Sequence, residues 1–347
     1  MTSLSVDAID PRDAAPTDLE AIWRVADAVA EHEGRDVSLR PPVPHAVREW
    51  RHHPAHEHVR LWEAARGDGA LGYAATWWAD RADNRDHVGA EVVVDPEAQG
   101  QGVGRGLLRE ALRHATAAHR ARLVDVSAPL AGPAHGWLER LGAPARLVER
   151  RSVCERSSLD RSVLEGWVER AAERASGYSL VQWDGPCPRD LVDDFCRLKA
   201  VMNTAPIDDL DYEPEEFTPT HLAEHWASWV AQETDWWTVC ARHDDTGELV
   251  AFTTMRRPRH WREHAEQEDT GVVPAHRDRG LGRWVKAVSA LRLLDECPEI
   301  ERVATWNAAS NGPMLRLNVA MGFEGRADWA EHQAEADALL ARLGDAR

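Results

Sequence analysis

Residues 91–108 read Glu-Val-Val-Val-Asp-Pro-Glu-Ala-Gln-Gly-Gln-Gly-Val-Gly-Arg-Gly-Leu-Leu, an apolar strand that runs through a proline into a glycine-rich turn and then into an amphipathic helix. Gly100, Gly102 and Gly104 permit backbone conformations closed to other residues and let the main chain approach a ligand. Unpaired amides converging at a helix start, with the positive end of the helix dipole behind them, suit a phosphate or diphosphate. A tight strand-to-helix connection would use the same residues, but the pattern recurs. Residues 269–286 read Asp-Thr-Gly-Val-Val-Pro-Ala-His-Arg-Asp-Arg-Gly-Leu-Gly-Arg-Trp-Val-Lys and align without a gap. Glu91 falls on Asp269, Pro96 on Pro274, Gln99 on Arg277, Gly102 on Gly280, Gly104 on Gly282 and Arg105 on Arg283. The spacing is 178 residues, and Leu141-Gly142 matches Met321-Gly322 at 180, which indicates a duplicated domain.

A strand, then Gln/Arg-x-x-Gly-x-Gly opening a helix, then a strand and a helix ending in Leu/Met-Gly resembles the GNAT superfamily of acyl-CoA-dependent N-acyltransferases. Two copies in one chain resemble the tandem GNAT proteins, an architecture of the mycothiol synthase type. The resemblance implies acetyl-CoA as donor and leaves the acceptor open. It implies that loop amides Gln99, Gly100, Gln101, Gly102, Val103, Gly104 and Arg105 grip the diphosphate, and likewise Arg277, Arg279, Gly280, Leu281, Gly282 and Arg283. Main-chain groups of Val92, Val93 and Val94, and of Val272 and Val273, would pair with the pantetheine arm, while their side chains read equally as buried strand.

Acyl transfer to an amine also needs a base, and desolvation can raise a carboxylate toward neutrality for that work. Glu91 and Asp269 stand where the family often puts its base, and strict strand alternation sends Glu268 to the opposite face. A solvated strand-end carboxylate is the alternative reading of both. Many members carry a tyrosine as general acid four residues before the final Gly of the second helix. Leu138 and Asn318 stand there, so the first half lacks the acid and the second has an amide that hydrogen-bonds the sulfur or merely packs. Thr305, Asn307, Asn311, Met314 and Asn318 line the expected coenzyme side of the second half, whereas residues 127–136 contain no asparagine. The C-terminal half is therefore expected to be catalytic, and the N-terminal half to bind CoA or to be vestigial. A non-catalytic acyl-CoA-binding module is the alternative.

Between the chemical residues lie the elements that must position them. The fold class is α/β (α+β): residues 1–156 as one GNAT domain, 157–176 as a connecting helix and 177–347 as the second, each a mixed, mostly antiparallel twisted sheet flanked by helices. Helices are expected from Thr17 with a Thr17/Glu20 capping box, at 44–53, 133–141, 158–175, 189–202, 219–232, 281–294, 314–321 and 331–343. Strands are expected at 59–64, 70–78, 87–94, 122–126, 146–153, 178–183, 236–242, 249–255, 270–273 and 302–306, with Asp68-Gly69 and Asp245-Thr-Gly247 as turns. Residues 202–213 are read as an acceptor loop whose Asp208, Asp209, Asp211 and Glu213 receive a cation or are simply solvated.

The chain has 347 residues and a formal charge of −18, which argues against nucleic acid as partner and fits a small-molecule primary amine, a cationic one included. Of 41 Lys and Arg residues, only Lys199 and Lys286 are lysine, a bias read as that of a GC-rich genome. Five scattered cysteines form no Cys-x-x-Cys pair and are expected as buried reduced thiols. The expectations are a cytoplasmic protein, monomer or homodimer, with no membrane partner. No metal is expected: His260-Trp-Arg-Glu-His264 falls between strands, and His52, His53, His56 and His58 read as a polar turn.

Overall fold

The structure, a computed structural model, describes residues 5–36, 40–66 and 69–344. In chain order it forms β1 (Ser5–Ile9), α1 (Pro16–His32), α2 (Val43–Arg51), β2 (Glu57–Arg66), β3 (Gly69–Ala79), β4 (His87–Val94), α3 (Val103–His119), β5 (Leu123–Pro129), α4 (Pro133–Arg140) and β6 (Ala145–Glu155). There follow α5 (Arg161–Arg174), β7 (Tyr178–Asp184), α6 (Val192–Lys199), α7 (Pro219–Ala231), β8 (Thr234–His243), β9 (Leu249–Pro258), β10 (His264–Val272), α8 (Leu281–Glu296), β11 (Arg302–Ala308), α9 (Gly312–Met321), β12 (Glu324–Glu335) and α10 (Ala336–Gly344). Two compact units result: Met1–Glu149 with Asp208–Glu213 and Asp328–Arg347, and Arg150–Ile207 with Pro214–Ala327.

In the first unit β1 to β4 pair antiparallel, and α3 crosses over to bring β5 parallel to β4 from His87/Leu123 to Ala90/Val126. Alternation along the strands gives each face its own core. Leu61, Tyr73 and Ala75 meet Leu19, Ile22 and Val25 of α1, while Trp62, Ala64 and Ala74 meet Val103, Leu107 and Ala111 of α3. The second unit repeats the plan: β7 to β10 are antiparallel, α8 crosses over, and β11 lies parallel to β10. Its helices divide between the faces, with Phe195, Leu198 and Trp226 of α6 and α7 against Phe252, and Leu281 and Val285 of α8 against Ala251 and Ala265.

Several expectations are corrected. The helix at the N-terminus begins at Pro16 with Ala15 as an uncapped N-cap residue, because proline fits the first helical position, so the Thr17/Glu20 box does not form. The strand read at 270–273 extends back to His264; its polar run His-Ala-Glu-Gln-Glu-Asp hides it from any hydrophobic pattern. Residues 331–335 are strand, not helix, since Trp329 to Glu335 pair antiparallel with Pro129 to Leu123 of β5. For the same reason residues from Asp328 onward fall in the first compact unit and not with 177–327. The helix read as a connector packs Leu164, Trp167 and Ala171 into the second unit, the first two in the α8 core, and Asp160 caps it through Ser162 and Val163 amides. The stretch 202–213 does not stay together as one acceptor loop: Asp208–Glu213 belong to the first unit, where Asp211 meets Arg122 and the Tyr212 hydroxyl donates to Asp125 at 2.9 Å. Asp68 lies outside the described residues. The five cysteines are free and buried, and among the described residues no helix is long and apolar enough to cross a membrane.

Candidate active site

In the second unit the β10/β11 ladder ends after Glu266/Ala304. Beyond that point the strands diverge, with the Thr305 hydroxyl donating to the Gln267 carbonyl at 2.9 Å. The edge of β10 from Glu268 to Val272 that faces β11 thus has no ladder partner there, and an extended arm can pair with it as an added strand would. The first unit opens in the same way after Ala90/Val126.

Each opening leads to a glycine turn. Asp278 (φ 63°) and Gly280 (φ 82°) are left-handed in the second unit, and Gly100 (φ 73°) and Gly102 (φ 85°) in the first. No side chain caps α8 or α3. A Cβ added at Gly100, Gly102 or Gly280 would meet nothing within 4 Å, so the turns are open beside these glycines. Leu281 and Val103 anchor the helix starts in the core. Gly282 and Gly104 have a different role, since a Cβ there would touch Val272 at 3.5 Å and Val94 at 3.2 Å. They let helix and strand pack closely.

The basic and amide side chains brace these turns. Arg277 Nε donates to the Val272 carbonyl at 3.0 Å and its Nη2 to Thr204 Oγ1 at 2.7 Å, and Gln99 donates to the Val94 carbonyl at 3.2 Å. Gln101 donates to the Glu97 carbonyl at 2.8 Å. Arg105 caps the end of α10 at the Arg342 carbonyl (2.9 Å), Arg283 stacks over Trp167, and Arg279 lies beside His276. Main-chain amides, more than these side chains, are what the turns offer an anion. Val93 and Val94 pack into the first unit's cores and Val272 and Val273 into the second's, while the Val94 and Val272 carbonyls are held by Gln99 and Arg277 and the Val273 amide donates to the Val250 carbonyl at 2.9 Å.

The two halves differ at the strand before the turn. β3 and β4 pair evenly from Gly72/Val94 to Trp77/Gly89. In β10 the register jumps between Gln267/Met255 and Thr270/Thr253, so Glu268 and Asp269 together oppose the single residue Thr254. This is a β-bulge, and it breaks the alternation that would have separated the two carboxylates. Both lie on the α6 face: Asp269 is ion-paired with Lys199 at the end of α6, whose ammonium sits 5.7 Å from the Phe252 ring, and Glu268 is ion-paired with Arg256, four residues along from Phe252. The expected opposite orientation of Glu268 is thereby corrected. Burial pushes the Glu268 carboxyl above the ordinary range, with Arg256 opposing and Glu266 adding to the rise. Glu266 is buried too, but His264 Nε2 at 2.5 Å and Arg151 at 3.0 Å outweigh desolvation and hold it below the ordinary range.

On the opposite face lies a buried polar chain. Lys286 of α8, 1% exposed, donates through Nζ to Asn318 Oδ1 at 2.8 Å, and Asn318 Nδ2 donates to Asn307 Oδ1 at 2.7 Å. Burial lowers the Lys286 amine to about 7. Asn311 caps α9 by accepting from the Met314 amide at 3.3 Å. In the first unit the residues matching Lys286 and Asn318 are Leu108 and Leu138, both packed into the apolar core. Glu91 there faces the Tyr73 phenol and Arg35, and burial raises its carboxyl. From the sequence Lys199, Lys286 and Glu268 had no role at the site, and the bulge was not expected. A signal for the two lysines was present: in a chain that otherwise uses arginine, lysine stands at only two places, one ion-paired with Asp269 and one buried.

The description "Acetyltransferase (GNAT) domain" matches residues 57–142 and "Acetyltransferase (GNAT) family" matches residues 202–323. Among solved structures the chain is similar to a tandem GNAT protein from the clavulanic acid biosynthesis pathway, without AcCoA, with TM-score 0.75 and 21% identity over 96% of this chain and 99% of that one. It is also similar to a GCN5-related N-acetyltransferase from Sphaerobacter thermophilus, with TM-score 0.66 and 17% identity over 95% and 96% of the two chains. A glucosamine N-acetyltransferase region of a fungal multi-domain β-N-acetylglucosaminidase gives TM-score 0.65 and 16% identity over 96% of this chain and 38% of that one. No curated protein matches the sequence.

Proposed function

Since the chain belongs to the GNAT acetyltransferase family, with such a domain in each half, we propose that its second unit is an acetyl-CoA-dependent N-acetyltransferase acting on a primary amine of a small molecule in the cytoplasm. One observation carries this reading: the bulge that sets Glu268 and Asp269 on one face occurs in the second unit and not in the matching strand of the first. Bound acetyl-CoA would supply a thioester, an acyl carbon open to an amine nitrogen with a thiolate as leaving group.

The residues of the chain do the rest. Amides at the start of α8 hold the diphosphate, favoured by the helix dipole. The unpaired edge of β10 would hold the pantetheine arm. Glu268, raised by burial, accepts the proton that an ammonium acceptor must lose, and Asp269 with Lys199 borders the acceptor side. Asn318, its amide oriented by Lys286, stands where relatives place a phenol and offers the departing sulfur a polar neighbour. A thiol with a pKa near 8.5 is a fair leaving group, so the lack of a phenol is tolerable.

For the first unit the open cradle supports acyl-CoA binding without turnover, because Leu108 and Leu138 fill the place of the polar chain. CoA release measured with a panel of amines tests both halves. Gly280→Glu puts a carboxylate in the second cradle and should abolish release, whereas Gly102→Glu should retain most of it. The reverse pattern moves the reaction to the first unit. Saturable binding with no release across the panel would leave a binding protein.

A further inference from the structure

We infer that His135, Glu139 and His332 of the first unit form a binding site for a divalent transition metal such as zinc. His135 and Glu139 are one helical turn apart on α4, and His332 comes from β12, so the ligand atoms converge from two elements and all lie within 4.8 Å of one another.

The ring of His332 is fully buried and its orientation is fixed. Its Nδ1–H donates to the Ala143 carbonyl at 2.8 Å, which leaves the Nε2 lone pair aimed at His135. That is the arrangement that supports metal-bound imidazoles, with the distal ring nitrogen tied to a carbonyl. His135 Nδ1 lies 3.1 Å from His332 Nε2. Two ligands in a tetrahedral zinc site at metal–nitrogen distances near 2.0 Å are themselves about 3.3 Å apart. The pair is therefore already spaced as coordinated nitrogens are. Without metal a single proton bridges the gap; on binding, the His135 proton shifts to its Nε2 and the cation takes its place. One Glu139 oxygen accepts the Ala145 amide at 2.9 Å, which aims the exposed carboxylate, and water completes the shell. Two imidazoles and a carboxylate suit zinc or cobalt better than calcium or magnesium.

The site joins residues 197 apart in sequence, so occupancy fastens the C-terminal strand to the first unit. The test uses the full chain stripped with a chelator and titrated with Co2+ and then Zn2+. One equivalent of Co2+ should give the visible absorption of a four-coordinate site, Zn2+ should displace it, and Tm should rise with free metal. His135→Gln should abolish the absorption, and Glu139→Gln, at an exposed position, should weaken binding at least about ten-fold. Equal titrations for the parent chain and both variants would assign the metal to surface histidines and overturn the proposal. So would the absence of four-coordinate absorption in the parent.

Discussion

Lys286 shows what one residue contributes that its neighbours cannot. A buried ammonium normally needs a carboxylate against it, yet the side chain it hydrogen-bonds is an amide, with the Phe323 ring 5.5 Å from Nζ. The consequence is a linkage with a definite sign. Its pKa is about 7 in the fold and 10.5 as the reference for the unfolded chain, so between those values the unfolded state holds a proton the folded state lacks. Stability from this group is poorest below pH 7 and recovers as pH rises toward 10.5, with a slope of up to about 1.4 kcal/mol per pH unit. Lys286→Met should remove that slope, so denaturation at several pH values should find the variant's advantage largest at the acid end. If Lys286 orients Asn318 for the leaving sulfur, the same variant should lose about ten-fold or more in kcat, at least roughly 1.4 kcal/mol, with CoA affinity little changed. An unaltered kcat would reduce Lys286 to a packing residue. Sequence alone showed this lysine to be rare, but not that it is buried beside Asn318, because the two are 32 residues apart and meet only when α9 docks.

Among the elements, β10 matters most. Its bulge makes two consecutive residues share one face, which an even strand forbids. Deleting Glu268 should restore even pairing with β9 while leaving the glycine turn in place. The expected outcome is a folded protein that binds CoA much as before and turns over at least about a hundred-fold more slowly, roughly 2.8 kcal/mol. Retained turnover would show that the bulge is incidental. The glycine turns were legible because positive φ and close packing demand glycine locally. The bulge was not, because it is a relation between β10 and β9 and either strand alone reads as ordinary. Nor was β12: Glu331 to Glu335 has a helix former's composition, and pairing with β5 overrides that preference.

Over the whole molecule, the first unit is assembled from separated stretches of chain. Leu339 and Leu343 of α10 pack with Leu108, Leu112 and Leu138, and Arg105 caps the end of that helix. Ending the chain after Ala327 would remove the β5 partner and both leucines, each worth about 1.5–3 kcal/mol when buried. Hydrogen exchange should then show lost protection in Leu123–Pro129 of β5 and retained protection in β9. Unchanged exchange in β5 would mean that its pairing with β12 adds little.

The sequence by itself determined the duplication, the two glycine-rich turns and the alternation along the strands, since all three follow from residue type and short spacing. Tertiary structure decided which carboxylates share a face, where the two lysines lie, which unit the C-terminal strand completes, and how His135 and Glu139 come to meet His332. Those are contacts between segments far apart along the chain. Their chemistry depends on burial and register, which exist only after the strands have paired and the helices have packed.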